Sequence, residues 1–375
     1  MIARTLEEVV SKKLGDKRIL LIMGARQVGK TTLLDTIFKK KENKLWLSGD
    51  EPDVRALFED ITSTRLKSFF GNNKYVIIDE VQRIKNIGLT LKLIADNLKE
   101  VKVIATGSSS FELASGIGES LAGRKWEYML YPLSFSELVS EHGLLNEKRV
   151  LTQRLVFGSY PEVITSPGEE KSILKELVGS IMYKDILSLE GINSPDKLER
   201  LLRAIAYQIG SQVSYNELGM TCGLSQKTVE KYIDILEKAY IIFRLSSFSR
   251  NLRNELKKSR KIFFFDTGIR NALISDFRSV EMRQDVGNLF ENYLISERLK
   301  MLSYRNEDRG HWFWRTRQQQ ELDYIEEIDN QIKAFEIKWS VGTKAPGKKA
   351  FLSAYPESTV TIISQENYDM FLSSV

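Results

Sequence analysis

Cysteine, histidine and proline are scarce in this chain: its 375 residues include one cysteine, two histidines and seven prolines. The lone Cys222 excludes an internal disulfide and any multi-cysteine metal site. With only His142 and His311, a histidine-rich metal centre is excluded as well. No apolar run approaches the roughly 18 residues that a membrane span requires, and no signal-peptide pattern is present. A cytoplasmic address with no membrane partner is therefore expected. The net charge of +5 is mild, so the local distribution of charge says more than the total. A hydrophobic share of 42% beside 28% charged residues is ordinary for a globular chain with substantial cores. At about 150 residues per domain, this length suggests two or three domains.

What is present begins at Gly24. The apolar run Arg18–Met23 leads into Gly24-Ala-Arg-Gln-Val-Gly29-Lys30-Thr31, and Thr32–Phe38 leaves it with helical character. This is the full phosphate-binding loop pattern between a strand and a helix. Its glycines let backbone N–H groups converge at a helix N-terminus, where they hold phosphate oxygens. The loop residues expected to surround a nucleotide are Gly24, Ala25, Gln27, Val28, Gly29, Lys30, Thr31 and Thr32. Lys30 is expected to reach the β- and γ-phosphates, with the Thr31 hydroxyl on Mg²⁺.

Further along, Tyr75–Ile78 reads as a strand buried on both faces, as in a parallel sheet, and it ends in Asp79 and Glu80. Acids at a strand's C-terminal end lie at the sheet edge where α/β proteins bind ligands. Asp79 is expected to hold Mg²⁺, directly or through Thr31, and Glu80 to act as general base toward water. The strand Val101–Ala105 ends in Thr106-Gly-Ser108, which either touch the γ-phosphate or form a serine-rich turn. Arg124 precedes the strand Trp126–Tyr131. It is either a surface charge or a transition-state contact, within its own subunit or across a homo-oligomer.

GARQVGKTT, YVIIDEVQRI, ATGSSS, LAGRKWEYMLYPLSFSEL and FGSYPEVI together resemble the AAA-like ATPases of bacteria and archaea. The resemblance runs along nearly all of the chain. It implies an additional-strand P-loop core, ATP as the nucleotide, Glu80 as catalytic glutamate and Thr106 to Ser108 as the sensor strand end. It also implies a following winged helix and a C-terminal domain.

Residues 150–190 read as helices, taken as a lid on the nucleotide domain, with a boundary at Gly191–Pro195. Three helices follow: Leu198–Ile209, Tyr215–Met220 and Gln226–Leu236, the last capped by Ser225. Their compact spacing suggests a helix-turn-helix. Strands Tyr240–Leu245 and Lys261–Asp266 would form its wing, and between them lie Arg244, Arg250, Arg253, Lys257, Lys258, Arg260 and Lys261, opposed only by Glu255. DNA contact is expected from Gln226, Lys227 and Lys231 on the third helix and from Arg250, Arg253 and Lys257. Packing modules of ATPases use the same fold, and Glu230 and Asp234 weaken base readout.

Beyond 263, an amphipathic helix starts near Gly287, strands follow at His311–Arg315, Glu321–Ile325 and Ile332–Trp339, and a helix and strand complete the order. Glu336 and Lys338 are two apart, so they share a face. They interrupt the apolar run Ala334, Phe335, Ile337 and Trp339. With Asp323 on the preceding strand and Glu291 on the helix, this resembles the PD-(D/E)xK restriction-nuclease fold. The resemblance implies Glu291, Asp323, Glu336 and Lys338 as catalytic residues, with Asp323 and Glu336 holding Mg²⁺. A cross-strand ion pair is the alternative for the short E-x-K. Glu297 is a less suitable substitute for Glu291, because its phase points into the apolar stripe.

The expected fold is therefore α/β: a P-loop parallel sheet with helical lid (1–190), a winged helix (191–262) and a restriction-endonuclease-like domain (263–375). The expected function is ATP binding and hydrolysis in the service of DNA, with a Mg²⁺-dependent nuclease gated by nucleotide. The alternative is a nucleotide-driven switch whose C-terminal domain binds a protein or DNA without cleavage.

Overall fold

The computed structural model describes residues 2–108, 121–181, 194–249 and 260–373. Arg250, Arg253, Lys257 and Lys258 lie outside the described residues. No helix among the described residues is long and apolar enough to cross a membrane. The chain divides into two compact units.

The first unit holds Met1–Leu133 with two short later stretches. Its sheet comprises β1 (Ile19–Met23), β2 (Lys44–Ser48), β3 (Tyr75–Asp79), β4 (Lys102–Gly107) and β5 (Lys125–Met129). The order is β2-β3-β4-β1-β5, and all four adjacent pairs are parallel. β1 and β4 are buried at every position, which is why β1 reads as an unbroken apolar run rather than an alternating one. β4 stands between β1 and β3, so the loop strand and the acid strand are second neighbours, as the additional-strand expectation requires. One face of the sheet packs Leu21, Met23, Val76, Ile78, Val103 and Ala105 against flanking helices through Leu66, Phe70, Leu91 and Ile94.

The second unit holds Ser134–Gly179, Asn193–Glu237 and Ile241–Val375. Helices Pro195–Tyr207, Tyr215–Cys222 and Gln226–Lys238 lie close to the expected spans. A three-stranded antiparallel sheet joins them, in the order β6 (Gln212–Val213), β8 (Arg260–Phe264), β7 (Ile242–Ser246). The two-residue β6 is too short for a sequence pattern. After the long helix Val286–Tyr304 comes a four-stranded sheet, β12-β11-β10-β9. Its strands are β9 (Gly310–Arg315), β10 (Glu321–Ile328), β11 (Gln331–Ile337) and β12 (Thr359–Ile363). The first three are antiparallel neighbours, and β12 runs parallel to β11.

The expected lid is corrected here. The helices after Ser134 share a core with the rest of the second unit: Phe135, Leu151, Leu155 and Val156 pack with Phe263, Phe290, Tyr293 and Tyr324. Polar contacts fix the same arrangement. Asp266 accepts from Ser159 N at 2.8 Å, and Asn271 donates to the carbonyls of Leu155 and Val156 at 3.0 and 2.9 Å. The expected divisions at 190 and 262 likewise cut through shared packing, since Phe243 and Phe263 join the C-terminal residues in one cluster.

Buried charges in this unit are paired. The Arg298 guanidinium holds Glu326 at 2.6 and 2.9 Å and donates to the Phe371 carbonyl at 2.6 Å, while Arg309 reaches Glu326 at 2.8 Å. Replacing Glu326 with Ala removes a carboxylate partner of buried Arg298 and leaves Arg309 with Glu307. The expected loss is about 3–5 kcal/mol, read as a lowered denaturant midpoint for this unit's transition.

Candidate nucleotide and carboxylate sites

The loop folds as its glycines require. A Cβ on Gly24 would collide with the Leu130 carbonyl oxygen, and Gly29 takes φ +95° at the N-terminus of the helix Lys30–Phe38. Gln27, exposed at the loop's crest, also adopts positive φ, at +59°. Val28 and Ala25 are buried beneath it. The Lys30 ammonium is buried and donates to the carbonyls of Gly24 and Ala25, both at 2.9 Å. Thr32 stays exposed on the helix.

Across the sheet edge, Asp79 is the hub. Its Oδ2 accepts from Thr31 Oγ1 at 2.8 Å, and its Oδ1 accepts from the hydroxyl of Thr106, which is fully buried at the end of β4. Thr31, Asp79 and Thr106 therefore come together. A hydroxyl oxygen beside a carboxylate, in reach of the phosphate loop, fits Mg²⁺ with most of its shell left to water and phosphate. Glu80 follows in the left-handed region, φ +51° and ψ +46°, and its backbone N–H reaches Asp79 Oδ1 at 3.1 Å. Gly49 is pressed against it, because a Cβ there would strike the Glu80 carbonyl.

Two residues escaped the sequence reading. The Gln82 carboxamide donates to the Glu80 carboxylate, and its oxygen accepts from Ser108 N at 3.2 Å. It links the two strand ends; its place two residues after Glu80 was the only signal. Arg4 donates to the carbonyls of Val28 at 2.7 Å and Tyr131 at 2.6 Å, bracing the loop from the N-terminal side. Nothing in the local sequence marks it.

Arg124 is corrected. Its carbonyl accepts from Ile19 N, at the start of β1, whereas the phosphate loop leaves the far end after Met23. Five residues of strand put it about 16 Å from its own loop. Its guanidinium is engaged with Asp96 at 2.7 Å, as a half-exposed ion pair.

In the second unit, Glu291, Asp323, Glu336 and Lys338 do converge. Lys338 Nζ lies 2.7 Å from Glu336 and 3.8 Å from Asp323, and Asp323 Oδ2 accepts from Ile337 N at 2.8 Å. Two further residues join them. Lys261 sits 3.0 Å from Glu291 and 2.5 Å from Glu321, and Glu321 also meets Arg315 at 3.0 Å. Glu321 was legible, being two residues before Asp323 on one strand. Lys261 had been read as part of the basic wing. In this arrangement Asp323 and Glu336, the carboxylates expected to hold a metal, are each paired with a lysine: Asp323 with Lys261 and Lys338, and Glu336 with Lys338. Glu297 is engaged elsewhere, accepting from Phe135 N and Lys300, both at 2.6 Å.

The wing's charge also changes meaning. Arg244 is held by Asp234 at 2.8 Å and by Glu237, and Arg260 faces Glu230 at 3.6 Å. With Lys261 buried, three of the seven expected wing cations are matched by carboxylates from the same unit.

Comparison with known proteins follows this division. A family model described as "AAA domain" matches residues 16–139. Two models, each described as a domain of unknown function (DUF8612 and DUF4143), match residues 148–280 and 286–373. The first unit is a P-loop ATPase fold, by its strand order, its loop and that match. Uncharacterized protein Rv2008c of Mycobacterium tuberculosis is 26% identical, over 85% of this chain and 70% of its own length. Uncharacterized protein MJ1544 of Methanocaldococcus jannaschii is 24% identical, over 86% of this chain and 75% of its own. Among solved structures, the Walker-type ATPase PABY2304 of Pyrococcus abyssi aligns at 16% identity and a TM-score of 0.47, covering 73% of this chain and 96% of that one.

The carboxylate cluster has a pH signature. Burial, with Asp323 and Glu321 nearby, pushes Glu291 up to about 8 despite Lys261, and burial with Asp323 pushes Glu336 up to about 7. A carboxyl raised above its ordinary 4.5 binds its proton more tightly folded than unfolded. Its contribution is full below that ordinary value and is lost as pH rises through 7 and 8. Stability of the second unit should fall between pH 5 and 8, and Glu291→Gln should flatten that fall in denaturant titrations.

Proposed function

We propose that the chain is a Mg²⁺-dependent ATP-hydrolysing switch that acts on DNA, binding it through the second unit without cutting it. The observation that carries the ATPase half is the junction of Thr31, Asp79 and Thr106, with Glu80 held beside it by Gln82. Loop amides and Lys30 would hold the β- and γ-phosphates, Lys30 exchanging its two carbonyl partners for phosphate oxygens. Thr31 and Asp79 would hold Mg²⁺, which when bound neutralises charge between the phosphates. Glu80, once Gln82 releases it, would orient water and take its proton. The Glu80–Gln82–Ser108 contact gives the base a resting position away from that task.

Glu80→Gln should retain ATP binding while the hydrolysis rate falls about 10²- to 10³-fold, measured by steady-state phosphate release. Loss of binding together with hydrolysis, or unchanged hydrolysis, would remove Glu80 from this role.

The DNA half rests on less. Three helices with β6 between the first two and β7 and β8 after the third support a winged-helix reading, and Gln226, Lys227 and Lys231 are exposed on the third helix. The pairing of Arg244 and Arg260 with carboxylates lowers the field that this face offers to phosphate. Binding without cleavage is preferred because Lys261 stands among the C-terminal carboxylates. If Lys227 and Lys231 meet phosphates, replacing both with Ala should reduce the log–log salt slope of DNA affinity by about two. A chain that binds no DNA at low salt would favour the alternative, a switch whose second unit engages a protein.

A further inference from the structure

Lys261 belongs to β8, in the centre of the three-stranded sheet, yet its side chain serves a different set of elements. Only 2% exposed, its ammonium lies 3.0 Å from Glu291 on the long helix and 2.5 Å from Glu321 and 3.8 Å from Asp323, both on β10. Lys338 closes the opposite side through Glu336 and Asp323. Asp323 Oδ2, the oxygen that faces Lys338, also accepts from Ile337 N–H. One oxygen of the cluster, Glu336 Oε2, is buried with no hydrogen-bond partner. Each of the four carboxylates already has a lysine ammonium within ion-pair distance, so their charge is met without a metal.

We propose that Lys261 is the resident cation of the Glu291, Glu321 and Asp323 side of this cluster, beside the Asp323 and Glu336 carboxylates on which the restriction-nuclease resemblance puts a divalent metal, and that it ties β8 to the long helix and β10 as a metal-independent joint. An ammonium tethered to the backbone neutralises carboxylates and brings them together. It carries no exchangeable water to activate and no open coordination position for a phosphate oxygen, so it supplies none of the chemistry of a catalytic metal. A buried ion also needs its partners close, so three carboxylates from two elements gather around one strand residue. Withdrawing that charge leaves them facing one another, an arrangement that takes up a free cation instead.

This inference is independent of nucleotide, and its test uses none. Mn²⁺ is titrated into the full chain, followed by the electron paramagnetic resonance signal of free Mn²⁺ and by thermal melts. The wild-type chain and Asp323→Asn should bind Mn²⁺ alike, with no melting shift separating them. Lys261→Ala should melt lower without metal, gain one additional saturable Mn²⁺ site and recover several degrees with it; Lys261→Ala/Asp323→Asn should lose that gain. Wild-type Mn²⁺ binding that Asp323→Asn abolishes overturns the proposal. So does a folded Lys261→Ala chain that gains no site. If Lys261→Ala does not fold even with Mn²⁺, the wild-type and Asp323→Asn comparison decides alone, with Glu336→Gln in place of Asp323→Asn should that chain also fail to fold.

Discussion

Charge placed inside a folded chain must meet a counter-charge or a set of dipoles, and this constraint organises both units. In the first, Asp79 is buried because two hydroxyls satisfy it, and Lys30 is buried because two loop carbonyls do. In the proposed ATPase cycle, both sets of partners would be exchanged for a nucleotide and its metal. In the second unit several pairings are between opposite charges, such as Arg298 and Arg309 on Glu326 and Lys261 on Glu321. Such pairs are costly to break one partner at a time. The first unit is thus wired to exchange ligands and the second to keep its geometry.

This contrast bears on what each unit can do for the other functionally. A site whose buried charges rest on hydroxyls and carbonyls can change partners as nucleotide binds and is hydrolysed. A body whose buried charges are locked in ion pairs responds as a whole. Arg244 shows the difference locally: read as a cation available to DNA, it is committed to Asp234 and Glu237.

How much was legible follows from the range over which each feature is encoded. The phosphate loop is written in eight consecutive residues, and Asp79 and Glu80 are marked by an apolar strand ending in acids, so both were found from sequence. Thr31, Asp79 and Thr106 meet because three parallel strands or their exits share an edge, which the order of apolar runs implied. Arg124 stayed open between a surface charge and a phosphate contact because its distance from its own loop depends on which end of a strand it occupies, and the strand's pairing with β1 had to be seen first. The helices after Ser134 were assigned to the wrong body for a similar reason. Amphipathic periodicity shows that Leu151 and Leu155 are buried but not that Phe263 and Phe290 bury them. Lys261 was the hardest case: in sequence it is one more cation in a basic stretch, and only tertiary structure turns it inward.

Glu80 carries a conflict of interests within a single residue. A glutamate with φ +51° occupies backbone space that a glycine or asparagine would fill more comfortably, at a cost on the order of 1–2 kcal/mol. Any gain in stability at this position comes from a residue without the carboxylate. If Glu80 is the base of the proposed hydrolysis, durability and hydrolysis pull in opposite directions there, and a chain selected only to persist would surrender that base first.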